Sequence, residues 1–376
     1  MKRLYLLFLY LLIVFSISAQ IETRKEIHIP DIPGYKTLKC DFHMHTVFSD
    51  GSVWPDIRVI EAWREGLDAI AITDHIEYLP HRHDMNIDFN RPHEIAEPEA
   101  RQLDITLIKG SEITRKMPPG HINAIFLTDA SLLKQDDWKD AVREAKKQGA
   151  FIFWNHPGWK GHQKDGVPRW YEEHSWLLEN DMLNGIEVVN YFDYYPLVHD
   201  WAIEKNITMM SNSDIHYPTG MAFEFHKGER RAITLVFAPD KSQQEIKKAL
   251  FAGRTAVMFR NNLYGKEEFL EPIFQNSIEI LNKNITVARG DKLVLQIRNN
   301  SDLDYILDAP EKDAPYSFGK EVTLYAGRVS IINVKFSPEV DEKLKEVNLE
   351  YNVKNLFIDP ETNINTTIKF PVIISK

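Results

Sequence analysis

The chain has 376 residues, 43% hydrophobic and 27% charged, which is room for one large soluble domain and a smaller one. Its formal net charge is −10 and no basic run interrupts it, so long nucleic-acid tracts are not expected as partners. The lone cysteine, Cys40, excludes an internal disulfide, leaving core packing and bound metal to hold the fold.

The first segment differs from the rest. "MKRLYLLFLYLLIVFSISAQ" opens with Lys2 and Arg3, continues as an apolar run from Leu4 to Phe15, and ends in small residues at Ala19. That order predicts a secretory signal peptide over residues 1–19, cut near Ala19–Gln20, and hence an exported protein. The apolar run is short for a bilayer, so no stable membrane span is expected after cleavage. Cys40 is not at the cleavage site, which argues against a lipid anchor. Losing Lys2 and Arg3 moves the net charge from −10 to −12. A small anion can still bind where local charge opposes this global sign.

Residues 20–271 read as one α/β domain. "TLKCDF", "DAIAIT", "ITLIKG", "INAIFL", "AFIFWN", "GIEVVN", "ITMMSN" and "RAITLVFA" are predicted strands. Helical patterns lie between several of them, at 55–65, 136–148, 171–179, 198–205 and 242–251. Strands apolar along nearly their whole length, alternating with helices, imply a parallel sheet covered by helices. The number of units suits a closed barrel; an open doubly wound sheet is the alternative. Residues 272–376 change texture. "KLVLQIRN", "EVTLYAG", "RVSIINVKF", "VNLEYNVKN" and "TTIKFPVII" alternate apolar and polar residues between turn-forming stretches. This predicts a small antiparallel β-sandwich, whose partner, if any, is not legible.

The chemistry is concentrated at predicted strand ends. "FHMH" follows the first strand and sets His43 and His45 on one face, because residues i and i+2 of a strand project together. One H-x-H among 14 histidines is weak evidence alone; a second, His81–His83, lies in a charged stretch and reads as a solvated loop. The pattern gains force by recurrence. "DAIAIT" leads to Asp74 and His75, "ITLIKG" to Glu112, "AFIFWN" to His156, and "ITMMSN" to Asp214 and His216. In a barrel these carboxyl ends share one mouth. Asp50, in the "SDG" turn, can fold back over it. His121 precedes its strand and is the exception.

"DFHMHTVFSDG", "AITDH", "KGSEIT", "GHINAIF", "FWNHPGW" and "SNSDIH" together resemble the ordered motifs of the PHP (polymerase and histidinol phosphatase) superfamily, from about Cys40 to His216. The resemblance implies a distorted (β/α)7 TIM-like barrel, up to three divalent metals (manganese, zinc or iron), and hydrolysis of phosphate esters. It implies that His43, His45, Glu112 and Asp214 hold one ion and that Glu112 shares a second with His121 and His156. Asp50, His75 and His216 would hold the third. It thereby supplies a role for His121. Three such ions with three carboxylates leave a pocket charge of about +3, suited to phosphate on an otherwise acidic protein. Two ions bridged by Glu112 would lower the pKa of a shared water to give a nucleophile near neutral pH.

Glu112, Asp214 and Arg115 are the expected catalytic residues. Arg115 is the first choice for the phosphoryl oxygens because guanidinium matches them geometrically; Lys160, His81 and His83 are further candidates. Asp74 is expected to orient His75 or cap a helix. The expected function is a phosphoesterase for small organic esters, diesters preferred. A phosphomonoesterase, an amidohydrolase-like C–N hydrolase and a non-catalytic glycan-binding protein are the alternatives.

Overall fold

The computed structural model describes residues 23–311 and 314–375; the expected signal peptide, 1–19, lies outside them. Seven strands form the barrel: β1 (Lys36–Asp41), β2 (Ala69–Ile72), β3 (Thr106–Ile113), β4 (Ile122–Ile125), β5 (Phe151–Trp154), β6 (Gly185–Asn190) and β7 (Thr208–Asn212). Each pairs with the next in that order. The ring closes just past the strand ends. There Met44 and Ile215 form a parallel bridge, the His45 N–H donates to the Ile215 carbonyl at 3.0 Å, and the Asp214 N–H donates to the His43 carbonyl at 2.8 Å. Strands β2, β5, β6 and β7 are buried along their whole length, which explains their largely apolar character; Glu187 in β6 and Asn212 in β7 are among the buried polar exceptions.

The sheet is not wholly parallel, contrary to the expectation from strand–helix alternation. β4 runs against both neighbours, because the chain returns from β3 through a loop at 114–121 with no crossover helix, and only antiparallel pairing allows that. The reversal has a functional consequence. The amino end of β4, which carries His121, lies at the same end of the barrel as the carboxyl ends of the other strands.

The predicted helices are present as α1 (Pro55–Arg64), α3 (Trp138–Lys147), α4 (Glu172–Glu179), α5 (Pro196–Glu204) and α6 (Gln243–Phe251). Their starts are encoded locally. Pro55 occupies the first turn of α1, the Asp137 carboxylate accepts from the Lys139 N–H, and the Ser242 hydroxyl accepts from the Glu245 N–H. Two helices escape the sequence pattern. α2 (Arg91–Gln102) contains Pro98, and α7 (Glu267–Ser277) contains Pro272, residues that ordinarily argue against a helix interior. In α7 the buried Phe269, Leu270, Ile273 and Phe274 contribute about 1.5–3 kcal/mol each, together more than the roughly 3 kcal/mol a helix-interior proline costs.

α7 spans the expected domain boundary at 271/272, and the sandwich strands begin at Ile278. One sandwich sheet takes the order 278–280, 292–299, 329–336, 316–318. The other is continuous with the barrel sheet. Strands β8 (Ile233–Ala238), β9 (Thr255–Phe259) and β10 (Asn262–Gly265) extend outward from β1, and β10 pairs in parallel with the sandwich strand Glu346–Phe357 through Leu263–Leu356 and Tyr264–Phe357.

Candidate metal centre

The extended backbone after β1 buries both His43 and His45 completely. Their Nε2 atoms lie 3.1 Å apart and face the same two carboxylates. Asp214 Oδ1 is 3.1 Å from each, and Glu112 Oε2 is 2.8 Å from His43 and 3.3 Å from His45. Glu112 comes from β3 and Asp214 follows β7. On one side His121 Nδ1 lies 2.5 Å from Glu112 Oε1, and His156 Nε2 is 4.0 Å from Asp214 Oδ2. On the other, Asp50 Oδ1 sits 3.4 Å from His75 Nε2 and 3.2 Å from His216 Nε2. All nine residues expected as ligands converge.

Their donor atoms form four overlapping groups, each within 4.8 Å: His45–Asp50–His75–His216, His43–His45–Glu112, His43–His156–Asp214 and His75–Glu112–His121. The grouping differs from the expected one in that His156 falls beside His43 and Asp214, not with Glu112 and His121. His156 and Asp214 also hold φ of +31° and +50°, a backbone region non-glycine residues seldom occupy and that clusters at functional sites.

The donor set fits divalent cations. His156 Nδ1 is buried without a hydrogen-bond partner, and Glu112 Oε1 and His121 Nδ1 are buried and crowded against each other with no well-aligned hydrogen bond; buried polar atoms are rarely left so. Burial disfavours charge on His75, yet Glu112 and Asp50 outweigh it and push its pKa up to about 10. Burial likewise opposes ionisation of Glu112, but His75, His121 and His43 hold its carboxyl well below the usual range. Burial and then His121 push His156 down to about 3. The cluster therefore demands positive charge, as protons or as metal ions. Above it opens a cavity of about 540 Å³ lined by Asp50, His75, His121, His156, Asp214 and His216 together with Tyr78, Trp159 and His162. Among the described residues lining it there is neither arginine nor lysine.

Comparison with known proteins agrees with this geometry. A crystal structure of a two-domain protein from Bacteroides vulgatus containing a predicted PHP-like metal-dependent phosphoesterase is 44% identical, covers 93% of this chain and 100% of its own, and superposes with a TM-score of 0.86. The chain belongs to this PHP-like metal-dependent phosphoesterase family. An Ig-like domain model matches residues 278–369, the sandwich of this PHP-like protein. A candidate metal-dependent phosphoesterase from Bifidobacterium adolescentis (18% identity, TM-score 0.37, 47% of this chain and 87% of its own) and an amidohydrolase from Chromobacterium violaceum (16%, 0.36, 48% and 88%) are more distant; nothing is argued from likeness at that level. No curated protein matches.

The PHP-like centre is braced by residues that the motifs do not include. Glu187, in β6, is fully buried; its Oε1 lies 2.8 Å from His43 Nδ1, and its Oε2 accepts the His156 backbone N–H at 2.7 Å. With Nδ1–H donated there, His43 Nε2 is free to face the cluster. His216 Nδ1 donates to the Asp214 carbonyl at 2.8 Å, and His75 Nδ1 lies 2.6 Å from Thr114 Oγ1. Buried Arg58, from α1, donates to the carbonyls of His45, Ile215 and Tyr217, clamping two ligand segments together. A carboxylate inside the wholly buried "GIEVVN" strand is the signal that could have flagged Glu187.

Several expectations are corrected in this PHP-like chain. Arg115 does not reach the cavity; its guanidinium donates to the carbonyls of Asp136 and Gln135 and pairs with Glu77 at 2.7 Å, because the 114–121 loop carries it outward. Lys160 is exposed and does not line the cavity. His81 and His83 lie in a surface turn at 80–84. Asp74 neither orients His75 nor caps a helix. It accepts from Thr46 N–H, Thr46 Oγ1 and Ser49 Oγ at 2.6–2.7 Å, pinning the turn that presents Asp50. His162, which was not anticipated, lines the cavity six residues beyond His156, with its Nδ1 buried and unpartnered.

Proposed function

We propose that the protein is an exported phosphoesterase that holds up to three divalent cations (manganese, zinc or iron) and hydrolyses small organic phosphate esters, diesters in preference to monoesters. The convergence of nine histidine and carboxylate donors in one cluster, six of them lining the cavity above it, carries this reading, and family membership supports it. Residues 1–19 support export. The partners expected are small esters, not long nucleic acids or membranes.

Bound divalent ions supply Lewis acidity, placing positive charge by the phosphoryl oxygens and lowering the pKa of a water. The chain's own residues do the rest. Glu112 and Asp214 each face both His43 and His45, and each meets two further histidines of the cluster. Glu187, Thr114 and the Asp214 carbonyl fix the histidine rings, and Arg58 keeps the two ligand-bearing segments in register. Among the described residues no lysine or arginine lines the cavity wall, so compensation for ester charge falls to the ions and the lining histidines. A singly charged diester needs less of it than a doubly charged monoester.

The test is turnover of bis(p-nitrophenyl) phosphate and p-nitrophenyl phosphate by the purified mature chain loaded with manganese. Faster diester hydrolysis that a chelator abolishes is the expected result. No turnover of either ester with metal demonstrably bound would favour a C–N hydrolase or a binding protein. Export is checked by the N-terminal sequence of protein recovered from outside the cytoplasm, which is expected to start near Gln20.

A further inference from the structure

Two aromatic side chains at the cavity, Tyr78 and Trp159, are 54% and 46% exposed. Both line the cavity, and both are held in place by the cluster. The Tyr78 ring meets His75 edge-on at 5.8 Å. The Trp159 indole contacts the rings of His121, His156 and His162 at 5.7, 5.3 and 4.8 Å. The loop is shaped for that indole: Gly161 lies so close beneath it that any Cβ would collide with the six-membered ring of Trp159. An exposed tryptophan is normally free to turn. This one is fixed on one side by three imidazoles and a glycine, and nearly half of its surface is left to solvent.

Scattered exposed apolar residues are common and need no explanation. Two aromatic rings anchored on metal-ligand histidines, at the mouth of a cavity whose described lining has no lysine or arginine, are not scattered. We propose that Tyr78 and Trp159 form a stacking wall that selects phosphate esters whose alcohol carries a flat aromatic ring near the ester oxygen. This deepens the phosphoesterase reading and rests on it. The phosphoryl group would lie toward the donor cluster and the ring against the indole or phenol face, where each stacked pair is expected to strengthen binding about three- to ten-fold.

The experiment measures binding, not turnover. Dissociation constants for the singly charged monomethyl esters of benzylphosphonate, cyclohexylmethylphosphonate and ethylphosphonate are determined by calorimetry on manganese-loaded protein, for wild type, Trp159→Ala, Tyr78→Ala and Gly161→Ala. Wild type is expected to bind the benzylphosphonate ester about ten-fold more tightly than the ethylphosphonate ester, and more tightly than the saturated ring. Trp159→Ala and Tyr78→Ala are each expected to shrink that preference, read within each variant as the ratio of benzylphosphonate to ethylphosphonate affinity. Gly161→Ala, which displaces the indole, should shrink it as well. Equal binding of the three ligands, no binding of any, or a preference that survives both aromatic deletions would overturn the proposal. Ester turnover in the same preparation separates the two readings. Turnover without ring preference removes this inference alone, whereas ring preference without turnover of any ester removes the hydrolytic reading alone.

Discussion

Glu187 lies 2.8 Å from His43 Nδ1, and burial pushes its carboxyl pKa up. It also accepts side-chain N–H groups from Asn190 and Asn212 at 2.8 and 3.0 Å. It thus anchors a ligand histidine, a ligand backbone and two asparagines without facing the cavity.

Replacing Glu187 with Gln keeps the shape but weakens the hold on His43. Metal affinity is expected to fall about 10–100-fold, the usual cost of losing such an outer partner, with the fold retained. Calorimetric titration with manganese, alongside a melting curve, checks this; unchanged affinity would remove Glu187 from the centre.

Gly51 closes the turn that carries Asp50. A Cβ there would stand 2.6 Å from the backbone of His45 and Thr46, so Gly51→Ala must displace Asp50 from His75 and His216. The variant is expected to bind about one metal equivalent fewer than wild type, a change elemental analysis reads directly. An unaltered metal content would show that the turn can yield without cost.

Metal binding should release protons. Burial opposes charge on His43, His75 and His216, but neighbouring carboxylates raise all three above the ordinary histidine value. Near neutral pH the metal-free cluster therefore holds protons that cations must displace. Affinity is expected to rise with pH, about ten-fold per unit for each proton displaced, and to weaken as pH falls. Calorimetry in buffers of different ionisation enthalpy counts those protons; a count of zero would contradict the sign.

Because cations bind the folded cluster and not the unfolded chain, chelation should lower the melting temperature. A free metal concentration one hundred times the dissociation constant corresponds to about 2.7 kcal/mol of stabilisation. A melting temperature insensitive to chelator would mean that the ions contribute nothing to the fold.

Arg115 and His162 should behave in opposite ways. Arg115→Ala removes two hydrogen bonds to carbonyls and is expected to cost about 1–3 kcal/mol of stability with little change in ester turnover per folded molecule. His162→Ala removes a ring from the cavity wall and is expected to lower turnover with little change in melting temperature. The reverse pattern, in the same assay and melt, would restore Arg115 to the site.

The barrel and the sandwich could be read from the chain because strand period and length are written locally. His43, His156 and Asp214 sit two positions beyond a strand, but His121 precedes its strand, and its role came only from the family resemblance. The reversal of β4 was less legible, since it depends on what the 114–121 loop lacks. α2 and α7 were hidden by their prolines, whose local cost is outweighed by burial against other elements.

What tertiary structure alone decided is which residues brace the site and which leave it. Glu187 meets His43 across 144 positions and Arg58 meets Ile215 across 157, and no local periodicity encodes such pairings. Arg115 illustrates the converse. Its neighbourhood in the chain is that of the metal ligands, but its guanidinium is satisfied by carbonyls about twenty residues further on. A charged group goes to whichever partners the folded backbone leaves unpaired, and that is settled only when the whole barrel has closed.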